Sequence, residues 1–143
     1  MAETFDLVRG ALATLFGSMT GLSAKTVYER PPHSLQDFPC MLFLPFEGDF
    51  DYESFGEDEL NKTHRIRGIV VGGVQADLTE DDEVLVPFID RVPDHLRTSP
   101  SLGLEIVAQP AKARGYKFVE FVYNAVSHNA VEFLIEVEVY DDA

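Results

Sequence analysis

The sequence predicts a single α+β domain whose central sheet is mostly antiparallel and flanked by helices. Three observations carry that prediction. Residues 4–19 and about 80–97 repeat apolar side chains at helical spacing. Residues 130–140 alternate apolar and acidic side chains with period two. The segments between them read as further strands joined by polar loops, with no internal repeat and no linker dividing two domains. A chain of 143 residues is one domain by length, and burying roughly 70% of its unfolded surface gives it a substantial core.

The elements follow in order. Phe5, Val8, Leu12, Leu15 and Phe16 form the stripe of the first helix, with Thr4 as its N-cap, Asp6 in its first turn, and Gly17 and Gly21 ending it. Residues 25–29 alternate and stop at Pro31-Pro32, since proline cannot donate to a ladder. Residues 38–46 are almost wholly apolar and read as a strand buried on both faces. Pro39 and Pro45 mark it as an edge strand or one with unpaired ends. Residues 47–59 hold seven carboxylates in thirteen positions and read as a long loop or hairpin tip. Residues 63–71 set Arg65 and Arg67 around Ile66, then turn apolar, and Gly72-Gly73 permits a bend or bulge.

Thr79 is a candidate cap for the second helical stripe, Val84, Leu85, Phe88, Ile89, Val92 and Leu96. Pro87 and Pro93 break the turn-to-turn hydrogen bonding. They predict either a kinked helix or one that starts near Val86 with Pro87 at its first position. Residues 104–108 read as a short strand, 109–116 as a loop, and 117–123 and 130–140 as strands joined through 124–129. On the last strand Val131, Phe133, Ile135, Val137 and Val139 are predicted to face the core, and Glu132, Glu136 and Glu138 the opposite side.

The formal net charge of −14 argues against affinity for nucleic acid or anionic membrane, both of which need clustered cations. The single cysteine, Cys40, rules out an intramolecular disulfide and fits a reducing compartment. No apolar run approaches the ~20 residues of a membrane span, and the N-terminus lacks a basic leader region. Synthesis and retention in a cytoplasm are expected, unless the protein leaves within a larger particle.

Motifs for covalent chemistry do not emerge. His33, His64, His95 and His128 lack metal-ligand spacing, and Cys40 sits in an apolar strand where its thiol is expected to pack rather than react. Asp49, Asp51 and Glu53 mimic the first calcium-loop positions. Ser54 then stands where glycine is needed and Leu60 where a bidentate glutamate is needed, so tight calcium binding is not expected. Neither a nucleophile elbow nor a phosphate-cradling loop is present.

Charge is segregated instead. Six of the eleven Lys and Arg fall in two stretches, Lys62, Arg65 and Arg67, then Lys112, Arg114 and Lys117. Acids crowd into 47–59 and 77–83. Opposite patches on one surface favour head-to-tail contact between copies, which closes into rings. Asp49, Phe50, Asp51, Tyr52, Glu53, Phe55, Arg65 and Arg67 are the candidate interface residues. The arginines are expected to face acids of a neighbour, and the acidic loop is expected to be mobile until a partner orders it.

The opening helix, Val27-Tyr28-Glu29 before Pro31-Pro32, and Phe38-Pro39-Cys40-Met41-Leu42 leading to Pro45 resemble the first half of tail terminator (tail completion) proteins. Such proteins belong to long-tailed, non-contractile bacteriophages and related gene-transfer particles. The likeness runs on through His64-Arg65-Ile66-Arg67-Gly68-Ile69-Val70-Val71, the helix with Leu85, Pro87, Phe88, Ile89 and Val92, and the paired C-terminal strands. It implies a hexameric ring that caps the tail tube and joins the head's connector or stopper, without catalysis or cofactor. Another neck component, such as a head-completion or stopper protein, and a small-molecule-binding α+β domain are the rival classes.

Overall fold

A computed structural model describes residues 3–23, 25–35, 37–51, 59–74 and 83–142. Among the described residues the helices α1 (Thr4–Phe16) and α2 (Phe88–Arg97) accompany five strands: β1 (Val27–Tyr28), β2 (Cys40–Asp51), β3 (Glu59–Val74), β4 (Lys112–Tyr123) and β5 (Val126–Asp142). The strands form one sheet in the order β1-β2-β3-β5-β4. Only β1 and β2 run parallel; every other pair is antiparallel. The architecture is the single, mostly antiparallel α+β domain that the periodicities predict.

The alternation of β5 decides where the core sits. Val131, Phe133, Ile135, Val137 and Val139 are all buried, and they share one cluster with Val8, Leu12 and Phe16 of α1 and Phe88, Val92 and Leu96 of α2. Both helices therefore cover the same face of the sheet. Gly68 stands opposite Phe133 on that face, and a Cβ there would come within 3.0 Å of Ile135 Cδ1 and Met41 Cε. Its missing side chain lets the flanking strands close over β3. The reverse face carries a smaller cluster of Cys40, Leu42, Ile69, Val71 and Ala130, with Tyr28, Leu35 and Phe38 packed against it.

Several boundaries differ from the sequence reading, each for a local reason. Glu3, not Thr4, occupies the cap position of α1. Thr4 is inside the helix, and its hydroxyl lies 3.0 Å from His64 Nε2 on β3, so a tertiary contact takes the group that would have capped. The 25–29 strand shrinks to two residues. Residues 104–108 are not a strand: Val107 makes one bridge to Val139, flanked by Ala108 N–H donating to Glu138 at 2.8 Å and Tyr140 N–H donating to Ile106 at 2.8 Å. β4 begins at Lys112, inside the predicted loop, with a bulge between Ala113 and Gly115. The 124–129 connection is only Asn124-Ala125, whose φ of 51° and 64° fit the tight two-residue hairpin turn.

Of the two alternatives for the second helix, the later start is the nearer, but Pro87 takes the cap position and not the first helical one. α2 begins at Phe88 behind Pro87, whose φ of −59° is already helical, and a separate helical turn precedes it at 83–85. Pro93 lies within the helix, where it removes one backbone donor. Thr79 and residues 80–82 lie outside the described residues.

Cys40 opens β2 fully buried, as expected of a packing thiol. Burial, then the nearby Asp37 carboxylate, pushes its thiol up to about 12. A thiol with a raised native pKa adds stability that is whole below its unfolded value. That stability is lost as pH climbs toward the native value. Native protein should therefore react with a thiol reagent only on unfolding, and Cys40→Val should flatten the loss of stability between about pH 9 and 12. Rapid labelling of folded protein at pH 7 would contradict this burial.

Candidate functional site

Helices cover one side of the sheet, so the other side is where an unassigned surface must be sought. Beyond the small cluster around Leu42, that face is a lattice of charge. In one cross-strand row Glu47 on β2 lies opposite Arg65 on β3. Arg65 lies opposite Glu136 on β5, and Glu136 opposite Lys112 on β4. The sign alternates across all four strands, which is the favourable arrangement for directly opposed side chains.

Arg65 is the hub of this row. Its Nη1 lies 2.8 Å from Asp49 Oδ2 and 3.8 Å from Glu47 Oε1, and its Nε donates to Glu136 Oε2 at 3.2 Å. Arg114, displaced by the β4 bulge, donates to Glu136 Oε1 at 3.1 Å. Burial opposes ionisation of Glu136, but the hydrogen bonds from Arg114 and Arg65 outweigh it and hold the carboxyl below the usual range. The Asp49 hydrogen bond leads the contributions that raise Arg65 further. One step along the sheet, Arg67 donates to Glu132 Oε1, and Lys117 Nζ lies 3.6 Å from Glu132 Oε2.

Arg65 and Arg67 were expected to face acids of a neighbouring copy. In the monomer they face acids of their own sheet. The reason is simple period-two geometry: residues 65 and 67 share a face of β3, and Glu132 and Glu136 share the same face of adjacent β5. The acidic segment also needs correction. Residues 47–51 are not loop but strand, paired with 61–65, so the hairpin arm extends further than the apolar run. Asp49 and Phe50 lie on this arm, and Asp51, opposite Asn61, is its last residue. Tyr52, Glu53 and Phe55 lie outside the described residues.

Three features keep the arm in register. A bulge between Pro45 and Glu47 turns Glu47 onto the charged face. Arg65 then neutralises Glu47 and Asp49. Gly48 allows close approach, because a Cβ there would lie 2.6 Å from the Thr63 carbonyl oxygen. The bulge leaves Phe46 exposed, and Phe50 is 62% exposed.

The opposite margin of the sheet is also apolar and bare. β4 exposes Tyr116, Phe118 and Val122, and the Tyr116 and Phe118 rings meet edge to face with centroids 6.2 Å apart. Among the described residues no strand lies outside β4. β1 covers β2 only at Met41 and Leu42. Among the described residues the sheet thus ends in two edges that are open along most of β4 and along β2 beyond Leu42.

Small-molecule chemistry has less to work with. A shallow groove of about 360 Å³ is lined by Phe46, Arg67, Tyr116, Lys117, Glu132 and Leu134, but its charged groups pair with one another. His64 packs edge to face on Phe5. His95 Nε2 donates to the Leu15 carbonyl at 2.8 Å, and buried His128 lies against Phe38. Among the described residues no group of three or more His, Cys, Asp or Glu is placed to hold a metal ion, and no helix is long and apolar enough to cross a membrane.

The sequence reading missed Phe46, Tyr116 and Phe118 as surface-forming residues; it counted Lys112 in a cationic stretch and put Glu132 and Glu136 on the face away from the core, but not in one row with Arg65. Period two in β5 did mark Glu132 and Glu136 as co-facial with each other. Nothing in the sequence set the registers that bring Arg65 and Arg67 beside them. No protein-family model and no curated protein matches the chain.

Proposed function

We propose that this protein is a structural, non-catalytic subunit of a phage-like particle. Six copies form a ring at the head-proximal end of the tail, end tube polymerisation and present a joining surface to the head. The observation that carries the assembly part is the sheet itself. Among the described residues the outer margin of β4 has no strand partner and that of β2 has one only at Met41 and Leu42, and both margins expose aromatic side chains. Such edges are templates for pairing with another chain. The tail, the ring and the number six rest on the sequence resemblance. The partners are other copies of the chain, the tail tube protein and a head-side connector or stopper. Assembly from host cytoplasm into the virion follows, with neither cofactor nor membrane involved.

Deleting the gene and imaging the particles tests this reading. Overlong tails, or tails not joined to heads, are expected. Heads that leak DNA beside normal tails would instead identify a head-completion or stopper protein. Tails of normal length joined to heads would overturn the terminator reading.

A further inference from the structure

We infer that copies of this chain join edge to edge, β4 of one against β2 of the next, so that the charged row continues unbroken from subunit to subunit. The inference deepens the ring reading above and rests on it. The row Glu47, Arg65, Glu136, Lys112 begins with an anion on the β2 margin and ends with a cation on the β4 margin. A second copy carried across in the same orientation sets its Glu47 beside Lys112, and the alternation runs on.

Strand direction agrees. β2 and β5 run one way, β3 and β4 the other. A translated neighbour therefore brings β2 antiparallel to β4, the sense found in the rest of the sheet outside β1, and leaves all helices on one side. In this register the start of β4, Lys112 to Tyr116, runs beside Phe43 to Glu47 of the next copy, short of Met41 and Leu42 where β1 is paired, and exposed Phe46 comes beside the β4 bulge.

The same charges discourage the wrong pairings. Two β4 margins would oppose Lys112, Arg114 and Lys117 to themselves, and two β2 margins would oppose Glu47 and Asp49 to themselves. Like charges directly opposed on neighbouring strands repel. Unlike margins remain, and their contact is head to tail, the kind that closes into a ring or grows as a filament. The net charge of −14 resists any association. At physiological salt, screening beyond ~8 Å damps that long-range repulsion more than contacts between strands about 5 Å apart.

Charge reversal with rescue tests the pairing. Lys112→Glu and Glu47→Lys should each weaken self-association by roughly tenfold in sedimentation velocity, whereas the chain carrying both should recover it. The doubly reversed chain should also sort away from the wild type when the two are mixed with different fluorophores. Association unchanged in both single variants, or not recovered in the double, would overturn the inference. Thermal melting checks that each variant is folded.

Hydrogen exchange on the wild-type protein gives a second reading that needs no substitution. β4 amides should gain protection between ~1 µM and ~1 mM protein, or on addition of tail tubes. Rings without that gain would defeat the edge pairing and leave the ring reading standing. Protein that stays monomeric under both conditions would defeat both. Edge pairing in a protein whose deletion leaves tails normal would defeat only the tail assignment.

Discussion

Replacing Phe133 with alanine is expected to cost about 3–5 kcal/mol in chemical denaturation, the range for truncating a buried aromatic ring. Phe133 is 1% exposed at the centre of β5, between β3 and β4, in the core shared with both helices. Its Tyr116 neighbour, with centroids 6.5 Å apart, is itself half exposed and cannot fill the space left. Native stability is typically only about 5–15 kcal/mol, so the variant should sit near its unfolding midpoint in mild denaturant. A loss well under 1 kcal/mol would show that the helices do not close over this face as described.

Arg65→Glu carries the next largest effect, and it differs from what an intersubunit role alone would produce. The new carboxylate would stand among Glu47, Asp49 and Glu136. Losing three cross-strand attractions and gaining three repulsions, each worth roughly 0.2–1 kcal/mol in this partly exposed setting, amounts to about 1–6 kcal/mol. Reversal at Arg65 therefore destabilises the folded chain itself, not merely its assembly.

The pH dependence fixes the sign. The native pKa of Glu136 lies below its unfolded value, so its stabilisation is whole above the ordinary carboxylate range. It is lost as pH falls through the native value. In Arg65→Glu, protonation relieves repulsion instead. The gap between variant and wild type should narrow as pH drops below about 4. A gap that is constant from pH 7 to 3 would mean that Arg65 does not act through these carboxylates.

What the sequence revealed and what it hid have physical causes. The faces of β5 were legible because a one-residue slip would bury Glu132, Glu136 and Glu138 in the core, which fixes the alternation. The start of α2 was legible as one of two alternatives because proline sets its own φ. Illegible were the features that depend on pairing. Residues 47–51 looked like loop because their acids are neutralised by Arg65 from the partner strand. Lys112 looked like loop because the β4 bulge breaks its alternation. Ala125 gave no turn signal, since the tight hairpin usually uses glycine or asparagine there. The candidate surface followed the same rule: the residue types were visible, with cations and anions segregated, but their partners were assigned to another copy because no register was known.

The most direct test of the central claim is to image tail tubes, purified from particles lacking this gene, after adding the purified protein. A ring of six copies is expected at one end of each tube, with tube growth stopped there. Tubes that stay bare and keep elongating at saturating protein would contradict it.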